Sequence, residues 1–162
     1  MRSFKNLTIY ITIIYFVSCK QKVEVVYGVN PIDIYESKAQ KTKPKNEAEY
    51  ISILYTNIFQ DAISPTALYQ TQNVMYSIGD QAVAKELLLS NYFNQIGLSI
   101  PTDAYMVSNT EKFIIETYKR FMLRSPSQSE IYFFKKYIQE NPKVTVEMVY
   151  TAFAASDEYG FY

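Results

Sequence analysis

SPSQSEIYFFKKYIQENP, residues 125–142, decides how the rest of the chain is read. Ser127 and Glu130 stand three apart, the spacing of a capping box, in which each side chain satisfies a backbone N–H of the other's residue at a helix start. Ile131, Phe134, Tyr137 and Ile138 then recur at helical period and define one apolar face. Asn141-Pro142 ends the segment, because a proline disfavours helical backbone in the residue before it. Eighteen residues thus spell a start, a face and a stop for one amphipathic helix.

The same grammar extends in both directions. Upstream, Ser108 and Glu111 have capping-box spacing, Phe113, Ile114, Tyr118, Phe121 and Met122 supply a face, and Arg124-Ser125-Pro126 breaks it. Downstream, Thr145 or Val146 opens a last helix carrying Val149, Phe153 and Ala154. In the first half, Tyr50, Ile51, Leu54, Tyr55, Ile58 and Phe59 share a face, and Ser64-Pro65 is an N-cap followed by proline at the first helical position. Leu68, Met75 and Ile78 continue that pattern with Tyr69 and Tyr76; Gly79 stops it, and Asp80 caps a third helix expected to present Val83, Leu87, Leu88 and Phe93. At an offset of 63, Tyr55 meets Tyr118, Ser64 meets Ser127 and Tyr69 meets Tyr132; at 66, Val83 meets Val149 and Leu87 meets Phe153. The expected fold is all-α: six helices as two duplicated three-helix units at 47–93 and 109–162, joined by a connector at 94–108.

Before the helices the chain carries an address. Arg2 and Lys5 precede an uncharged apolar run of eleven residues, 7–17, too short for a spanning helix of about 20 residues and suited to a signal peptide over 1–18. Phe16-Val17-Ser18-Cys19 then sets a small residue before the sole cysteine of the 162 residues. This resembles the lipobox of bacterial lipoproteins, with Phe16 where leucine is commonest. The resemblance implies diacylglycerol on the Cys19 thiol, cleavage before it, and a protein anchored to the cell envelope, at the outer membrane, without crossing it.

Residues 20–46 hold six Lys and three acids, a net charge of +3, while 47–162 hold eight Lys/Arg and thirteen acids, a net of −5. The overall neutrality hides that asymmetry. The lysine-rich stretch 37–46 reads as a solvated tether, completing a lipidated N-terminal segment over 19–46. Val23 to Tyr27 and Ile32 to Tyr35 alternate as two short extended segments that either pack on the domain or add to a partner's sheet.

The chemistry available is narrow. With no histidine and one cysteine, the chain cannot build a Ser-His-Asp or Cys-His nucleophile, a His-ligated zinc site or an internal disulfide. Gly28, Gly79, Gly97 and Gly160 each stand alone, so no glycine-rich phosphate loop or calcium loop is spelled. The paired acids Glu47/Glu49, Glu111/Glu116 and Asp157/Glu158 would suit a cell-wall hydrolase. Ordinary helix electrostatics accounts for several of them: Glu111 and Glu130 at capping positions, and Glu116 beside Lys112 and Lys119. Glu158 falls at a helix C-terminus, where negative charge is disfavoured, so Arg124 is expected as its partner. Sixteen tyrosines supply contact chemistry. Tyr55, Tyr69, Tyr118 and Tyr132 keep register with aliphatics and read as core edge; Tyr76, Tyr105 and Tyr162 read as exposed contacts.

Tyr118 to Ser127, then Glu130, then 149–159 (VYTAFAASDEY) carry a second resemblance. They are similar to a short bacterial helical domain of unknown function that recurs in secreted and S-layer-associated proteins, and the closing helix is similar to that of phycobilisome linker domains. The match covers 113–159; the first unit has Asp61 near the place of the arginine. What the resemblance implies is an interaction or scaffolding module, without catalytic residues. The expected function is a lipid-anchored envelope subunit that binds another envelope protein, with no catalysis, cofactor, metal or nucleic acid. A glycan-binding module using exposed tyrosines is the alternative, and a small hydrolase the third.

Overall fold

A computed structural model describes residues 41–162. Cys19, the segment 1–18 and both alternating segments lie outside the described residues. The described chain is all-helical. Its α-helices are α1 (Glu47–Phe59), α2 (Pro65–Ser77), α3 (Gln81–Phe93), α4 (Asp103–Ser108), α5 (Thr110–Met122), α6 (Gln128–Glu140) and α7 (Val146–Ala154), followed by a 3-10 turn at Glu158–Gly160.

Local chemistry places most of these ends. Asn46 and Glu49 form a capping box on α1, Ser127 and Glu130 one on α6, and Ser64, Asp80 and Thr145 cap α2, α3 and α7. The helices α1 and α5, and α2 and α6, share identical lengths and bounds at a shift of 63 residues. At that shift the left-handed terminators also coincide, Gln60 (φ 56°) with Leu123 (φ 53°).

Three expectations are corrected. The connector 94–108 contains a helix of its own, α4, so the described residues hold seven α-helices where the sequence suggested six. Thr102 caps α4 and the fully buried Met106 anchors it. The Ser108/Glu111 spacing forms no capping box: Ser108 closes α4, its hydroxyl donating to the Ala104 carbonyl at 2.8 Å. Finally, α3 is rotated relative to the expected face. It buries Ala84, Leu88, Leu89 and Tyr92 and leaves Val83 and Leu87 out, so burial in α3 matches α7 at a shift of 65 (Ala84 with Val149, Leu88 with Phe153), not 66.

The core centres on α5, whose Phe113, Ile114, Thr117, Tyr118, Phe121 and Met122 are all buried. Phe121 lies edge-on to Tyr150 at 4.7 Å between ring centroids and 5.6 Å from Tyr159, and Tyr159 meets Tyr50 of α1 edge-on at 5.6 Å. Buried polar groups are paired across the halves: Asn57 donates to the Tyr159 hydroxyl at 3.0 Å, and the Tyr50 hydroxyl donates to the Ala154 carbonyl at 3.2 Å.

Residues 41–46, expected as solvated tether, are docked. Lys45 N–H donates to the Gly160 carbonyl and Tyr162 N–H to the Lys43 carbonyl, both at 2.8 Å, pairing Pro44 with Phe161 in an antiparallel bridge. The Lys45 ammonium donates to the Tyr159 carbonyl and sits 4.1 Å from that ring's centroid. Burial lowers its pKa to about 8. The basic stretch therefore ends as part of the fold, held by aromatic and carbonyl groups at the chain's far end.

Candidate interaction surface

The tyrosines chosen for contact are not assembled into one site. Tyr76 on α2 is exposed, with Glu47 beside it raising its pKa. Tyr105 on α4 is half-buried and donates to Glu116 at 3.1 Å, so its polar end is already engaged. Tyr162 is partly covered by Lys43 and Lys45, whose ammonium groups lie 5.2 and 5.3 Å from its ring.

The residues read as core edge divide instead. Tyr118 is buried and Tyr55 packs on Phe59 at 4.4 Å, whereas Tyr69 and Tyr132 are 66% and 69% exposed. These last two occupy equivalent positions on α2 and α6, at the shift of 63. Val74 and Tyr137, also equivalent, are likewise exposed, and Phe133 joins them on α6 with its ring within 10° of parallel to Tyr137 at 6.2 Å. Each middle helix therefore turns large apolar side chains to solvent, with a tyrosine exposed at the same place in both; Val74 and Tyr137, five residues further on, lie about 140° around their helices from those tyrosines. Single exposed apolar residues are ordinary; a tyrosine exposed at equivalent positions of two helices is the candidate contact. The matched tyrosines at offset 63 were the sequence signal for it, but helical register alone does not say which side of the helix is covered.

A groove of about 340 Å³ opens between α2 and α3, lined by Val74, Met75, Ile78, Ala84, Leu87 and Leu88 with Gln70, Thr71 and Asn91. It exists because α2 commits a single residue, Met75, fully to the core.

Two carboxylates share one arginine. Arg124, 8% exposed, grips Glu158 through Nε and Nη2 at 2.6 and 2.8 Å and Glu130 through Nη1 and Nη2 at 3.0 and 2.6 Å. Its fifth donor goes to the Ser125 carbonyl at 3.2 Å. Hydrogen bonding from Arg124 lowers the Glu130 pKa to about 2 and lowers that of Glu158 as well. Arg124 also lies 4.9 Å from the Tyr118 ring, and Lys41 reaches Glu158 at 3.7 Å. The expected Arg124–Glu158 pair is thus present, extended by Glu130 into a clasp joining the end of α5, the start of α6 and the 3-10 turn. Glu116 pairs with Lys112 at 3.9 Å as expected, and Glu111 with Lys135 at 3.3 Å.

Among the described residues no group of three or more His, Cys, Asp or Glu is placed to hold a metal ion, and no helix is long and apolar enough to cross a membrane. Compared with protein-family models, curated proteins and solved structures, the chain matches none.

Proposed function

We propose that this protein is a non-catalytic binding or scaffolding subunit of the bacterial envelope, anchored through acyl chains on Cys19 and built from two duplicated three-helix units. The observation that carries the reading is the large tyrosine left exposed at equivalent positions of α2 and α6, Tyr69 and Tyr132. A contact residue repeated with its scaffold allows two weak contacts to be made together, which bind far more tightly than either alone. Confinement by the lipid anchor raises the effective concentration for a membrane-bound partner protein further. The shared bounds, the matching Ser64 and Ser127 caps and the left-handed terminators at a shift of 63 support the duplication.

The test has two arms. Mild detergent extraction should co-purify a stoichiometric envelope protein, and Tyr69→Ser with Tyr132→Ser should release it while the fold persists; retention by the double variant refutes the two tyrosines as the contact. Cys19→Ala should move the protein from the membrane to the soluble fraction, and unchanged retention refutes the anchor. Glycan binding is the second reading, favoured by the exposed Phe133 and Tyr137 rings one turn apart on α6, aromatic faces of the kind sugars stack on. Glycan-array binding abolished by Tyr137→Ala would select it.

A further inference from the structure

The α2–α3 groove has a counterpart, and the difference between the two is informative. The pocket of about 180 Å³ between α5, α6 and α7 includes Phe134, Ala152, Phe153 and Ser156 in its lining. These are the equivalents of Thr71 (shift 63) and of Leu87, Leu88 and Asn91 (shift 65), all of which line the larger α2–α3 groove. In the second half the space is plugged by aromatic rings: Phe134 meets Phe153 at 5.2 Å, and Phe153 meets Tyr118 at 4.8 Å. In the first half Thr71 and Leu88 stand at the two plug positions, and Ala84 stands where the second half has Val149. The same architecture therefore leaves about 340 Å³ in the first half and about 180 Å³ in the second, where three side chains are larger.

The open groove is graded along its length. Because α2 and α3 run antiparallel from a short turn, Met75, Ile78 and Ala84 lie at the turn end, and Gln70, Thr71 and Asn91 lie together at the far end. Val74 and Leu87, both largely exposed, form an aliphatic mouth between them. No charged side chain lines it. An aliphatic chain laid along it would cover apolar surface now facing water, while a hydroxyl or amide head meets Gln70, Asn91 and Thr71. The Asn91 Oδ1 already accepts from Gln95 at 2.7 Å, which leaves its amide N–H donors for the head, and the Thr71 hydroxyl also interacts with the Tyr92 hydroxyl. A charged head would lose hydration with no opposite charge to compensate.

We propose that the α2–α3 groove binds an uncharged amphiphile, its aliphatic tail over Met75, Ile78, Leu87 and Leu88 and its hydrogen-bonding head at Gln70, Thr71 and Asn91. Tyr69 and Tyr132 do not line this groove, so the contact proposed above and this site can fail independently.

The test uses the Cys19→Ala protein, so that any tail comes from solution, labelled at its Ile, Leu and Met methyl groups. Titration with monooctanoylglycerol should give saturable shifts at Met75, Ile78, Leu87 and Leu88. Octanoate, with the same tail length and a charged head, should bind at least about tenfold more weakly, and glycerol should not bind. Thr71→Phe, which installs the plug that Phe134 provides in the second half, should weaken monooctanoylglycerol by about tenfold or more while the methyl spectrum of α5–α7 stays unchanged. Should Thr71→Phe disturb the fold, Leu87→Asp at the exposed mouth gives the same reading. Absence of saturable shifts, shifts centred elsewhere, equal affinity for octanoate, or full affinity in both groove variants would each overturn the proposal.

Discussion

Arg124→Ala should be among the most damaging single changes outside the hydrophobic core. The wild-type guanidinium uses all five donors, two on Glu158, two on Glu130 and one on the Ser125 carbonyl, at 8% exposure. Removing one member of a buried ion network costs about 3–5 kcal/mol, chiefly because the remaining charges lose their partner. Here the Glu130 and Glu158 side chains keep 30% and 35% of their surface in water, so both recover part of their hydration. That moves the expected loss to the lower end, about 3 kcal/mol, a large share of a domain stability on the order of 10 kcal/mol. Urea denaturation followed by circular dichroism measures it. Arg124→Lys should recover little, since one ammonium cannot present two bidentate faces. In a double-mutant cycle with Glu158→Ala, the pair should couple by at least about 1 kcal/mol. A loss below about 1 kcal/mol for Arg124→Ala, or full rescue by lysine, would refute the clasp as a stabilising element.

Acid should weaken the same clasp. Glu130 titrates at about 2 in the folded protein, below its ordinary 4.5, so between these values the unfolded chain binds more protons. Stability is therefore fully present above about pH 4.5 and falls as pH drops toward 2, by about 1–2 kcal/mol once the partial exposure of the carboxylate is discounted. Arg124→Met should flatten that slope; an equally steep acid transition in the variant would point to other groups. At the end of α5, Leu123 holds φ 53° and is largely exposed, a left-handed conformation that costs a side-chain-bearing residue about 1 kcal/mol. Leu123→Gly should raise stability by about 0.5–1 kcal/mol in thermal denaturation, and a clear decrease would mean that the Leu123 side chain contributes packing that offsets its strain.

Helix ends were legible because capping is local chemistry. Ser64-Pro65, Asp80, Ser127 with Glu130, and Thr145 each satisfy N–H groups two or three residues away, and the structure uses each of them as a cap. Arg124 with Glu158 was legible for a similar reason, since a negative charge at a helix end calls for a cation. The face of α3 was not. Ala82, Val83, Ala84 and 87–89 surround that helix with apolar groups, so periodicity had no single phase; Leu88 is buried as expected, while Ala84, Leu89 and Tyr92 take the core in place of Val83 and Leu87. The short helix α4 escaped because six residues leave room for only one buried anchor, Met106, and no periodic face. The exposure of Tyr69 and Tyr132 escaped because they keep the register of buried neighbours.

The order of residues along the chain was enough to set the helical class, most of the caps and breaks and the charge asymmetry, since each depends on composition or on side chains within a few positions of one another. Which tyrosines face water, how 41–46 fasten to Gly160 and Tyr162, and why one groove is roomier than its counterpart were decided in three dimensions. Those outcomes depend on which surfaces meet, from about 20 residues apart in the α2–α3 groove to more than 110 apart at Lys45 and Gly160, and a helix's own periodicity carries no record of what comes to lie against it.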